Sequence, residues 1–199
     1  MTAGSAKDDY RSVARLHESL LEAGLLALLG TSFLSGFYRY LASSSDAFLF
    51  AAVQDKDVIG FVSGAIDTKS FYRTFVMKRG IQTVVGHLAF RVANPSVLRR
   101  IVSIRRHMVG GSATNNLPKA ELLSLAVRPD MQRGGVGHAL FARLCNEFAE
   151  RHVDRFKVVG EARNEASMSF YRAHGGTPAG VTDLGGLECN LYEFSVGAR

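Results

Sequence analysis

The run AELLSLAVRPDMQRGGVGHAL, residues 120–140, decides the fold. Ala120 to Val127 is mostly apolar and free of Gly and Pro, and reads as a strand. Arg128-Pro129-Asp130 ends it, because proline brings no N–H to a ladder. Gln132-Arg133-Gly134-Gly135-Val136-Gly137 is a glycine-rich turn, and a helix starts near Gly135 and runs to about Arg151. A strand that enters a helix through glycines bares a row of backbone N–H groups at the positive end of the helix dipole, where a phosphate fits. Arg133 is placed to add a charge-assisted bond. Two nucleotide motifs fail here. A Walker A loop needs Gly-Lys-Ser/Thr where Gly137-His138-Ala139 stands, and the dinucleotide fingerprint needs a third glycine where Leu140 stands.

Outward from this stretch, Arg155 to Gly160 reads as a buried strand, and Asn164 to Ala173 as a helix stopped by Gly175-Gly176. Thr177–Val181 and Leu187–Val196 read as two final strands. Upstream, Asp8–Leu20 is a helix with Val13, Leu16 and Leu20 on one face, and Leu25–Leu29 a short apolar turn. Thr31 is expected to cap a second helix that ends near Leu41. Ala47–Val53 and Val58–Ile66 form a hairpin about Asp55-Lys56-Asp57. From Ser70 to Met108 the apolar residues recur at helical spacing, interrupted by Pro95. That stretch reads as two or three amphipathic helices, followed by a loop, Gly110–Pro118. The order predicts a mixed α/β (α+β) protein: one domain over 1–199, a central mixed sheet flanked by helices, and a helical insertion over about 69–119 between the early hairpin and the strand at 120.

Composition sets the bounds. With 199 residues, 47% hydrophobic and 21% charged, the chain is too apolar for disorder and long enough for a core without disulfides or metals. The N-terminus does not read as a secretory signal, and the uncharged run Ala23–Tyr38 is too short for a bilayer span, so a cytoplasmic protein is expected. The six histidines show no zinc-ligand spacing, so no metal is expected. Net charge is +6, yet ten basic residues and no acidic ones lie between Thr68 and Ala120, leaving the rest of the chain net negative. Three readings of the basic stretch stay open: a solvated face, a wall that receives an anionic substrate, or helices lying on an anionic membrane surface, which would place the protein at the inner face of a membrane. A nucleic-acid partner is not expected, since neither a helix-turn-helix signal nor a stacking platform is present.

The run Leu122–Pro129 followed by Gln132-x-x-Gly135-x-Gly137 resembles the signature of the GNAT superfamily of N-acetyltransferases. Asn164–Gly176 resembles that family's asparagine-to-tyrosine helix ending in glycine, and the strand 58–66 with Gly60 its early hairpin. The resemblance covers about 47–66 and 120–196, whereas Lys69–Lys119 shows no pattern of the family. It implies acetyl-CoA as co-substrate, without a metal. By position, Leu125, Ala126 and Val127 would hold the pantetheine arm, and Gln132, Arg133, Gly134, Gly135, Val136, Gly137 and His138 the pyrophosphate. Asn164 would contact the arm or an ordered water.

Acetyl transfer needs a neutral amine, a donor for the developing oxyanion and a proton for the leaving thiolate. Tyr171 stands at the family's tyrosine position and is the candidate acid; its alternative is a core tyrosine beside Phe170. Glu121 is the candidate base. Strict alternation puts it on one face with Leu123, Leu125 and Val127, where partial burial would raise its pKa. An exposed glutamate, with a water chain as base, is the alternative, and a backbone N–H near Leu125 or Ala126 is the candidate oxyanion donor. His138 and His174 read first as packing or capping groups, and Cys145 as core. The expected activity is acetyl transfer from acetyl-CoA to a primary amine of a small, anionic acceptor such as an amino sugar. The alternatives are protein N-acetylation and a non-catalytic acyl-CoA-binding or membrane-adaptor protein. The oligomeric state is unknown from sequence.

Overall fold

The computed structural model of the chain describes residues 9–21, 26–80, 116–184 and 186–197. Helix α1 (Asp9–Leu20) and helix α2 (Gly30–Ser43) precede the hairpin of β1 (Ala47–Gln54) and β2 (Asp57–Ala65). Asp55 and Lys56, at φ 50° and 71°, make the two-residue turn whose twist suits a hairpin. Helix α3 (Thr68–Phe75), capped by the Asp67 carboxylate on the Ser70 N–H, follows, with a π-helical turn at Val76–Gly80. The expected helices beyond 80, including 96–108, and most of the expected loop before Pro118 lie outside the described residues. Then come β3 (Ala120–Val127), α4 (Val136–Glu150), β4 (Arg155–Glu161), α5 (Glu165–Ala173), β5 (Thr177–Asp183) and β6 (Glu188–Ser195).

One six-stranded mixed sheet runs in the order β1-β2-β3-β4-β6-β5, with β3 and β4 its parallel pair. On one face α4 lays Leu140, Phe141, Leu144 and Phe148 against Phe48, Phe156 and Val158, and α5 adds Met168 and Tyr171. On the other face α1, α2 and α3 pack Val13, Phe33, Leu34, Phe37, Tyr38, Phe71 and Phe75 over Phe61, Ala65 and Ala126. Glu147 pins α4: its carboxylate is 2.7 Å from Arg143 and 2.8 Å from Arg151. The Arg143 guanidinium lies 4.1 Å over the Phe50 ring, which ties the helix to β1.

Thr31 does not cap α2. The chain enters that helix directly from a 3-10 turn at Ala27–Leu29, so Thr31 lies inside the first turn and its hydroxyl donates to Glu18 of α1. A second departure lies in β3. Pairing with β2 runs Ser63↔Ser124 and then Gly64↔Leu122, so Leu123 is an extra residue, a β-bulge. Beyond the bulge the parity of the strand flips. Ala120 and Leu122 share the α4/α5 layer with Leu125 and Val127, while Leu123 and Ala126 pack in the α1/α2 layer. Glu121, next to Leu122, is therefore on the opposite face from Leu125 and Val127, contrary to strict alternation.

His17 of α1 is buried, with Nδ1 2.6 Å from the Tyr38 hydroxyl and its ring stacked on Phe61, and its Nε2 has no partner among the described residues. Desolvation pulls its pKa from 6.5 down to about 4 against the opposing charge of Glu18. The unfolded chain thus takes up the proton first as pH falls. This contribution to stability is whole above the unfolded value, is lost as pH falls from 6.5 toward about 4, and levels off below. Denaturant titrations across that window should show the wild type losing on the order of 3 kcal/mol more than His17→Phe; equal losses would refute the assignment.

Candidate functional site

β3 and β4 pair over three residues only, Ala120↔Phe156, Glu121↔Lys157 and Leu122↔Val158. Beyond that point β3 keeps β2 and β4 keeps β6, and between them the sheet is open. The Arg128 N–H donates to the Ile59 carbonyl at 2.8 Å, which sets the phase of the β2–β3 ladder. Counting back, Ala126 spends its peptide groups on Phe61, whereas Val127 and Leu125 turn theirs into the gap. Of the three residues expected to hold a pantetheine arm, Leu125 and Val127 offer backbone. Ala126 does not, because its N–H and C=O face β2 and its side chain belongs to the α1/α2 core. Gln132 Nε2 donates to the Val127 carbonyl at 3.0 Å and so fastens the glycine turn to the strand end.

The turn stands at the wide mouth of this gap. Arg133 and Gly135 adopt positive φ, 63° and 83°, and only at 135 is glycine the residue supplied for it. The first helical bond of α4 runs from the Ala139 N–H to the Gly135 carbonyl, 2.9 Å. The preceding N–H groups of Val136, Gly137 and His138 have no carbonyl within the helix to bond. Gly137 has no structural need to be glycine: a Cβ there would sit 3.6 Å from Phe170 and 3.7 Å from Val127, ordinary contacts. His138 Nδ1 lies 2.8 Å from His174 Nε2, and His174 Nδ1 lies 2.7 Å from the Phe170 carbonyl. A carbonyl only accepts, so His174 Nδ1 carries the hydrogen and its Nε2 accepts from His138. The pair closes the end of α5 against the start of α4, as packing and capping groups do. The Asn164 Oδ1 accepts from the Ser167 N–H and caps α5.

Tyr171 is buried in the α4/α5 layer. Its ring edge lies 3.5 Å from where a Cβ on Gly160 would be, an ordinary contact, and the terminal methyl of Met168 2.4 Å, so α5 lies directly on the unpaired half of β4. Burial pushes the Tyr171 phenol well above its ordinary value. Glu121, in contrast, occupies the narrow end of the gap on the other face. The expected apolar surroundings are not what its carboxylate meets: Lys157 Nζ is 3.2 Å away, and the Tyr72 phenol of α3 feels its charge. Lys157 was missed by sequence reasoning. Its one signal is a charge inside the apolar strand RFKVVG, and strand pairing is not visible in that pattern. Tyr38 and Ser124 are hydrogen-bonded partners in the α1/α2 layer. Burial also pushes the Cys189 thiol up to about 11, which disfavours a thiolate there. Among the described residues there is no metal-binding cluster, and no helix is long and apolar enough to cross a membrane.

Comparison with known proteins matches this fold. Solved structures superpose over almost the whole chain: SsHAT at TM-score 0.65 and 18% identity, covering 98% of this chain and 97% of its own. A ribosomal-protein-alanine N-acetyltransferase from Brucella melitensis gives 0.58 and 17%, covering 96% of each chain. A PaiA N-acetyltransferase from Thermoplasma acidophilum, solved in complex with coenzyme A, gives 0.54 and 15%, covering 94% of this chain and 87% of its own. At these identities the likeness is one of fold. No curated protein matches the chain significantly. A family model, Acetyltransferase (GNAT) family, matches residues 67–175, a span that starts at Asp67 and crosses the basic stretch. That span is more than half of the chain, which therefore belongs to the GNAT acetyltransferases, enzymes that transfer an acetyl group from acetyl-CoA.

Proposed function

We propose that the chain is an N-acetyltransferase acting on the primary amine of a small, anionic acceptor, with Glu121 as base and Tyr171 as acid. The observation that carries this is the gap between β3 and β4, closed at one end by Glu121 and ending at the other in the turn 132–138. Acetyl-CoA, when bound, supplies an activated thioester. Leu125 turns its backbone N–H and C=O, and Val127 its N–H, toward an extended arm lying in the gap, as a missing strand would need. Val136, Gly137 and His138 present free N–H groups, with Arg133 beside them, to a diphosphate. Asn164, its Oδ1 spent on the cap, keeps its amide N–H for the arm or a water. The Glu121 carboxylate takes the proton of the attacking amine from the α1/α2 side. Tyr171 Oη, its proton held by burial at neutral pH, gives it to the departing sulfur from the α5 side. An N–H of the strand near Leu125 stabilises the oxyanion.

The basic stretch favours an anionic acceptor because it begins and ends beside the base. The Thr68 N–H and hydroxyl both donate to the Lys119 carbonyl at 3.1 Å, two residues before Glu121. We take 69–119 as an insertion within one domain, whose neck that clamp forms.

Thiol release from acetyl-CoA with an amino-sugar phosphate, a polyamine and an alanine-terminated peptide tests the acceptor. The sugar phosphate should turn over fastest and lose its advantage as salt rises; preference for the peptide or polyamine would overturn the anionic assignment. Glu121→Gln and Tyr171→Phe should each lower kcat about a hundredfold with little change in KM for acetyl-CoA. Full turnover in either removes that residue from the chemistry. Gly137→Ala should keep or slightly raise the melting temperature, as alanine is about 1 kcal/mol better than glycine in a helix. The same change should weaken coenzyme A binding about tenfold or more by calorimetry; undiminished affinity would move the diphosphate elsewhere.

A further inference from the structure

Lys157 stands at the point where three parts of the molecule meet. It is directly opposite Glu121 in the parallel β3–β4 register, so both side chains leave the sheet on one face. Its Nζ is 3.2 Å from Glu121 Oε2, with both side chains largely covered, at 17% and 16% exposure. The same ammonium donates to the Pro118 carbonyl at 2.8 Å, in the strand of chain that returns from the basic stretch. Across β4, Lys157 is also opposite Glu193 of β6, a second carboxylate that would compete for it. Arg155 removes that competitor by pairing with Glu193 through its own guanidinium. The row Glu121–Lys157–Glu193 is thereby resolved, and the lysine is committed to Glu121.

We propose that Lys157 is a positioning residue for the acetyl transfer: one ammonium holds the Glu121 carboxylate at the apex of the β3–β4 gap and locks it to Pro118, at the exit of the basic stretch. This rests on Glu121 being the base. The ion pair is worth little as an exposed contact, but a covered ammonium bonded to both a carboxylate and a carbonyl has few other orientations. It restricts the Glu121 rotamers, and positional error at a base is expensive in rate. A lysine suits this role better than an apolar residue because it bridges two acceptors that lie on different segments.

A double-mutant cycle separates positioning from structure. In the ligand-free protein, the melting shifts of Glu121→Gln and Lys157→Met should not add: the double variant should be more stable than the sum of the single losses predicts. With acetyl-CoA and the fastest amine of the panel above, Lys157→Met should lower kcat about tenfold, with KM for acetyl-CoA within about twofold. The same change made on top of Glu121→Gln should cost almost nothing. Lys157→Arg, which keeps charge and donors, should retain turnover within about threefold of wild type and covers the case of a Met variant that does not fold. Equal losses from Lys157→Met in both backgrounds, additive melting shifts, or an arginine variant that melts normally yet is as slow as the methionine one would each overturn the proposal. Full turnover of Glu121→Gln by itself would instead remove the base assignment, and with it the role given to Lys157.

Discussion

Everything in this molecule is arranged around two parallel strands that part company after three residue pairs. Buried peptide groups are nearly always bonded, and a sheet that opens in its middle leaves two facing rows without strand partners. The bulge at Leu123 falls where β3 leaves β4, and Met168 and Tyr171 of α5 lie against Gly160 on the part of β4 that β3 has left. An extended thioester arm is the natural complement of such a gap. In the proposed function the glycine turn at its mouth takes the diphosphate end of that arm, and Glu121, in the last pairs before the strands part, stands at its acyl end.

The same opening divides the chemistry between the two layers. Tyr171 belongs to the α4/α5 core, where desolvation keeps its proton in place. Glu121 faces the aromatic layer of α2 and α3, beside Tyr72. In the proposed reaction an amine and a leaving sulfur are served from opposite faces of one sheet without the two groups exchanging protons directly. The helix that bears the turn is tied to β1 by Arg143 over Phe50, and the Glu147 pairs with Arg143 and Arg151 hold that guanidinium along the helix.

Much of this was legible from residues alone. The ends of β3 coincide with expectation, and those of α4, β4 and α5 differ by a residue, because Pro129, Gly135, the Gly175-Gly176 pair and the apolar periodicities act over a single turn or strand. Thr31 misled because a hydroxyl before an apolar run is an N-cap only if the chain is extended there. Here a 3-10 turn delivers it already helical, and the hydroxyl finds Glu18 instead. The face of Glu121 misled for a different reason. One extra residue at Leu123 reverses the parity of everything before it, and no pattern of apolar residues in AELLSLAV reports a bulge.

By itself, then, the chain of residues determined most elements among the described residues, the glycine turn and the family, since each depends on interactions between near neighbours in sequence. Tertiary structure alone decided which peptide groups face the gap, on which side of the sheet Glu121 stands, and that Lys157 rather than an apolar wall meets its carboxylate. These depend on register between strands, and register is settled by the packing of distant segments against one another, to which local sequence is blind.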